Sequence, residues 1–217
     1  MSGFNLLDDT SIAVAPDALR TRRGRRMLLW VLLLCAMPVL ASYLTYYVLR
    51  PEGRRNYGDL IEPQRPLPSQ SVMDLNQQPS DLTALAGQWL LLSVAGGACD
   101  KTCREHLYLQ RQLRESLGKN KERLESVWLI PDQAALPEAL LPALKGTTVL
   151  RIVPAGLSAW LAPASGQQLA DHLYVVDPMG NWMMRFPAAL DLERAALARR
   201  DLERLMRASA SWDRPGR

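Results

Sequence analysis

Between Trp89 and Gln110 the chain reads WLLLSVAGGACDKTCREHLYLQ, and few folds accommodate that order of residues. The apolar run 89–94, closed by Gly96 and Gly97, predicts a buried strand. The polar–apolar pattern over 103–117, with Leu107, Leu109, Leu113 and Leu117 on its apolar side, predicts a helix ended by Gly118. Two thiols, Cys99 and Cys103, therefore fall in the turn from a strand into a helix. Cys103 belongs to the first helical turn, where unpaired backbone N–H groups and the helix dipole favour a thiolate. Cys99 is expected in the loop just ahead, reaching solvent and hence the more reactive of the two. In that geometry the sulfurs can form a disulfide or share a soft metal ion. An inert local disulfide and two unconnected thiols are the plain alternatives.

The pattern after Gly118 alternates. Residues 125–130, ESVWLI, predict a second strand stopped by Pro131, and 147–153 a third. Between them, 136–144 carries two prolines and reads as short helical or irregular chain. Leu173 to Val176, then Asp177-Pro178-Met179-Gly180, then 181–186, predict a hairpin around a turn-forming centre. After Pro187 the period is helical again, with Leu190, Leu197, Leu202, Leu205 and Met206 apolar and the acidic and basic residues between them forming a solvated face. Strands alternating with helices imply an α/β fold, a mixed sheet with helices packed on it.

Ahead of this domain, residues 27–49 contain no charged side chain. At helical rise that length crosses a bilayer, and Pro38 is tolerable within a membrane helix. Trp30 at one end and Tyr43, Tyr46 and Tyr47 at the other suit the interfaces. Arg20, Arg22, Arg23, Arg25 and Arg26 directly precede the span, which places the N-terminus in the cytoplasm. No small-residue exit interrupts the apolar run before its tyrosines, so an uncleaved anchor is favoured over a signal peptide. The expected division is a cytoplasmic tail 1–26, a transmembrane helix 27–49, and an extracytoplasmic tether 50–79 with one strand near 59–61. The folded domain then spans 80–207, and a C-terminal tail 208–217 follows. The location implied is a bacterial inner membrane, single-pass, with the C-terminal domain in the periplasm. Cys35, inside the span, reads as a small hydrophobe.

The first fifty residues hold six arginines against three aspartates, net +3, while the rest holds 20 basic against 19 acidic residues, net +1. The basic excess thus sits beside the membrane span, and no nucleic-acid surface is indicated.

The order of a cysteine turn, helix, strand, crossover, D-P-x-G hairpin and terminal helix resembles the thioredoxin superfamily over residues 80–206. Within it, Cys99-Asp-Lys-Thr-Cys103 is similar to the C-x-x-x-C element of the SCO/SenC family, membrane-anchored proteins that help assemble the copper centre of cytochrome c oxidase. The resemblance implies a thioredoxin-like sheet flanked by helices, with YVVDPMG, 174–180, as its late hairpin. It also implies Cu(I) as cargo, with Cys99, Cys103 and a histidine upstream of that hairpin, here His172, as metal ligands. The partners implied are the inner membrane and the copper-binding subunit of the oxidase or another copper chaperone. Arg104 stands where the family has proline, and His172 lies closer to the hairpin than the family histidine.

The residue chemistry runs parallel. Thiolates select Cu(I) and imidazole is an acceptable third donor, whereas a structural zinc site asks for four ligands. His106 and the methionines Met179, Met183 and Met184 read as packing or surface residues. The same dithiol can instead exchange with a partner's disulfide, which would make Cys99 and Cys103 catalytic. Whether the chain is an enzyme is open between these readings, and a noncatalytic interaction module is the third.

Overall fold

The computed structural model describes residues 17–49, 56–188 and 190–211, and the chain divides into two units, 1–54 and 55–217. In the first unit, helix α1 runs over Asp17–Leu44 with Pro38 inside it. Gly24–Tyr47 is one helix long and apolar enough to cross a membrane. Residues 1–16 of the expected cytoplasmic tail lie outside the described residues.

The second unit is built, in chain order, from β1 (Asp59–Pro66), β2 (Ser71–Met73), β3 (Pro79–Asp81), β4 (Trp89–Val94), α2 (Lys101–Ser116), β5 (Leu124–Ile130), β6 (Thr147–Ile152), α3 (Pro154–Trp160), β7 (Leu173–Val176), β8 (Asn181–Arg185) and α4 (Ala195–Ala208). Its eight strands form one sheet in the order β1-β8-β7-β4-β5-β6-β2-β3. The central trio β4, β5 and β6 is parallel, and β7 runs antiparallel to β4 and β8. This is a thioredoxin-like mixed sheet.

All six residues of β4 are buried, as expected of a strand covered on both faces. Its side chains alternate between two cores. Leu90, Leu92 and Val94 join Val127, Leu129, Tyr174 and Trp182 beneath α3 and the 82–85 turn. Trp89 and Leu91 face the other way and meet Leu109 and Leu113 of α2 and Ala198, Leu202 and Met206 of α4. At roughly 1.5–3 kcal/mol per fully buried aliphatic side chain, these two layers dominate the folding free energy.

Helix α2 begins at Lys101, two residues earlier than the periodicity suggests, because Asp100 caps it by accepting the Cys103 N–H at 2.9 Å. It ends where Gly118 takes a left-handed φ of 56°. The late hairpin turns as its residues dictate. Gly180 has φ 86°, its N–H donates to the Asp177 carbonyl at 2.9 Å, and the Asp177 carboxylate accepts the Asn181 N–H at 2.8 Å.

The stretch read as a tether contributes more than one short strand. Residues 50–55 lie outside the described residues, but from Asp59 onward the chain supplies β1, β2 and the first residue of β3, Pro79. β1 and β3 are the two edges of the sheet, and β2 is the short strand beside β3. Pro63 and Pro66 sit in β1, and most of its side chains are exposed or half-buried, so no apolar alternation marks it. Its entry is tied down by the buried Asp201 carboxylate, which accepts the Tyr57 and Gly58 N–H groups at 2.6 and 3.0 Å. At the far end, α4 runs to Ala208, and Ser209 is buried as acceptor for the Trp89 indole at 3.0 Å. Residues 212–217 lie outside the described residues.

Candidate redox site

Cys99 and Cys103 are joined in a disulfide, their Cα atoms 5.1 Å apart. Each is only 2 % exposed, which corrects the expectation that Cys99 reaches solvent. The pair belongs to a small apolar cluster with Ala95, Trp128, Ile130, Leu144 and Val149, against which Leu107, Leu136 and Leu140 pack.

Local geometry follows from the sequence. The β4 strand delivers the chain to Gly96 and Gly97, and the Cys99 N–H donates to the Gly96 carbonyl at 3.0 Å. Cys99 then takes a left-handed backbone conformation, φ 46°, a region that costs an ordinary residue about 1 kcal/mol or more. The Arg104 guanidinium holds that turn by donating to the Cys99 carbonyl at 2.9 Å. This gives Arg104 a structural task that a proline there could not perform. The helix start serves the thiols less simply than the sequence suggests. The Cys103 amide, expected to face a thiolate, already donates to Asp100.

Beside this turn, at the C-terminal ends of β4 and β5, lies an open groove of about 530 Å³. It is lined by Val94, Ala95, Gly96, Pro131, Leu157 and Leu169, among others.

His172 is not brought to the thiols as a free ligand. It is buried, its Nδ1 lies 2.8 Å from the Phe186 carbonyl, and its Nε2 accepts the Ala164 N–H at 3.1 Å. Those two partners fix the neutral tautomer, with the proton on Nδ1. Both nitrogens are consumed in joining the 162–168 loop to the end of β8. Among the described residues, no group of three or more His, Cys, Asp or Glu is gathered to hold a metal ion. The donor set Cys99, Cys103 and His172 therefore does not fit a three-coordinate copper centre in this conformation. His106, on the buried face of α2, lies where α2 packs against the 169–171 turn.

Burial pushes the His172 imidazole below its ordinary range, with the Phe186 hydrogen bond opposing. Burial lowers His106 as well, with Asp171 and Glu105 opposing and His172 adding to the lowering. In the window below the ordinary histidine value of about 6.5, the unfolded chain thus binds more protons than the folded one. Stability is then complete at neutral pH and falls as pH drops through that window. Protonation at His172 Nε2 would also set an N–H against the Ala164 N–H. The urea midpoint is expected to fall between pH 7.5 and 5. His172→Asn, whose amide can still donate to Phe186 without titrating, should flatten that fall. A wild-type midpoint that rises on acidification would contradict this account.

The fold has many solved likenesses. Among them are copper-bound ScoI of Bradyrhizobium japonicum, with 16 % identity and a TM-score of 0.44 over 61 % of this chain and 96 % of that one. Apo Sco1 of Thermus thermophilus shows 17 % identity and a TM-score of 0.49 over 69 % and 96 %. The thioredoxin domain of a thiol-disulfide oxidoreductase from Bacteroides vulgatus shows 12 % identity and a TM-score of 0.47 over 64 % and 94 %. A search of the curated proteins finds no match. Residues 89–209 match the family model of the transmembrane-like, thioredoxin-like, C-terminal domain, a span from the first residue of β4 to just past α4, and the chain belongs to that family.

Proposed function

We propose that this is a membrane-anchored dithiol–disulfide protein whose Cys99–Cys103 pair exchanges with cysteines of a partner during maturation of a respiratory copper site. The observation that carries the reading is the disulfide at the strand-to-helix turn of a thioredoxin-like sheet. In the reducing direction, one thiolate of the reduced pair attacks a partner disulfide and forms a mixed disulfide, releasing one partner thiol. The second cysteine then closes Cys99–Cys103 and releases the other partner thiol. Two electrons and two protons pass to the partner. The groove beside Gly96 would seat the partner segment that carries the reacting sulfur. The anchor holds the domain on the periplasmic side of an inner membrane, as the arginines ahead of the span suggest. The client is the copper-binding subunit of cytochrome c oxidase or a metallochaperone that serves it, as the C-x-x-x-C resemblance suggests.

A second reading treats Cu(I) as cargo on the reduced pair. The observation favouring it is that both sulfurs stand at one point, so reduction presents two soft donors together. His172 would have to leave both backbone partners to join them.

The cellular test is a Cys99→Ser/Cys103→Ser double variant expressed in place of the wild type. Oxidase activity is expected to fall severalfold or more, and whichever single Cys→Ser variant, at 99 or at 103, keeps the attacking thiol should accumulate a mixed disulfide with its client. Full oxidase activity in the double variant would sink both chemical readings and leave a noncatalytic module. A Cu(I) competition titration of the reduced protein separates the two chemistries. Cargo binding predicts tight Cu(I) uptake that the double variant loses, and exchange chemistry predicts only marginal uptake.

A further inference from the structure

A disulfide meant for exchange with another protein must be reachable, and this one is not. Part of the cluster that buries it comes from the connection between β5 and β6, residues 131–146. Most of that segment is exposed, but Leu136 and Leu140 are half-buried and Leu144 is buried. Those three side chains pack into the same cluster as Cys99 and Cys103. The segment contains Pro131, Pro137 and Pro142 and adds no strand to the sheet, so few ladder bonds hold it in place.

It is instead fastened by side chains near its ends. The Asp132 carboxylate accepts the Gly97 N–H at 2.9 Å and the Ala134 N–H at 3.0 Å. Arg151, at the end of β6, donates to the Asp132 carbonyl at 2.7 Å and to the Ala134 carbonyl at 2.9 Å. Arg111 of α2 donates to the Ala143 carbonyl at the other end. The fit against the cysteine turn is close. A Cβ on Gly97 would stand 2.3 Å from the Ala134 carbonyl oxygen, and one on Gly96 2.5 Å from Asp132 Oδ2.

We infer that residues 131–146 form a strap over the Cys99–Cys103 disulfide, and that Asp132 and Arg151 hold it shut. This rests on the exchange reading above and adds its regulation. A partner reaches the sulfurs only when the Asp132–Arg151 end lifts from the Gly96-Gly97 turn. The fastening consists of a few exposed or half-exposed hydrogen bonds, each of modest net value, so the strap can open without unfolding the sheet. A client that offers its own acceptor to the Gly97 amide, or an anion to Arg151, would open it on docking.

The test is the rate at which a water-soluble phosphine reduces the disulfide in the full-length protein held in neutral detergent. The phosphine attacks one sulfur, leaves as its oxide with oxygen from water, and both cysteines end as thiols. Free thiols are counted by alkylation and mass measurement at a series of times. Asp132→Ala and Arg151→Ala should each speed reduction by about tenfold or more, as the loss of one or two such bonds implies. Their denaturant midpoints should stay close to that of the wild type. Leu136→Ala removes cover without touching the fastening, and should also speed reduction, so the strap remains testable if one polar variant folds poorly. Equal rates in the wild type and all folded variants would overturn the strap and leave the exchange reading intact. A disulfide that resists the phosphine in every variant until the protein is denatured would overturn both.

Discussion

Trp128→Ala is expected to destabilise the domain by about 3–5 kcal/mol, the range for deleting a large aromatic side chain from a packed core. Trp128 has no exposed surface, sits centrally in β5 between β4 and β6, and donates its indole N–H to the Ala95 carbonyl at 3.1 Å. Ala95 is the residue that carries β4 into the cysteine turn. The substitution would thus open a cavity and strip a hydrogen bond from the turn at once. For a domain of this size the melting temperature should fall by roughly 10 °C or more. The cavity also lies in the cluster that surrounds the disulfide, so phosphine reduction should quicken as well. Thermal and urea unfolding of the variant check the first part. A loss below about 1 kcal/mol would mean that the cluster collapses around the missing ring, and that Trp128 is not the support of the cysteine turn described above.

Much of the sheet's centre is written locally, and the reason is burial. A strand covered on both faces is apolar along nearly its whole length, so WLLLSV, with Ser93 its one polar residue, announces β4 without help from its neighbours. The two glycines that follow are needed because Asp132 and Ala134 come within contact of their backbone, and Asp-Pro-Met-Gly needs no tertiary partner to turn. The outer strands β1, β2 and β3 carry no such mark. Only Val72 of β2 is buried, and β1 is polar with two prolines, so 59–79 resembles a linker until the sheet is assembled.

The site shows the same division. That Cys99 and Cys103 can meet follows from their spacing at a strand-to-helix turn, and the structure joins them. That they are buried does not follow, because part of the cluster around them is Leu136, Leu140 and Leu144, in a segment with no period of its own. In sequence, His172 is a histidine just upstream of the hairpin, which the family resemblance makes a candidate metal ligand. Which groups its nitrogens meet depends on Ala164 and Phe186, eight residues before it and fourteen after. Spacing alone cannot distinguish an imidazole that is free to bind a metal from one already hydrogen-bonded at both nitrogens. Arg104 is the converse case. It is a departure from the resembling family in sequence, yet the structure gives it a defined bond to the turn it follows.

The most direct measurement is the redox equilibrium of Cys99–Cys103 in the folded full-length protein, poised against graded mixtures of reduced and oxidised glutathione or dithiothreitol. Trapped thiols are counted at each potential after equilibrium is reached. A strap changes how fast that equilibrium is approached but not where it lies, so long incubation separates access from poise. The account predicts a single reversible two-electron transition within the range those buffers span, with the fold retained on both sides by circular dichroism and the transition absent in the Cys99→Ser/Cys103→Ser variant. A disulfide that stays closed across the whole range and yields only when the domain unfolds would contradict it, and would make the pair a structural staple.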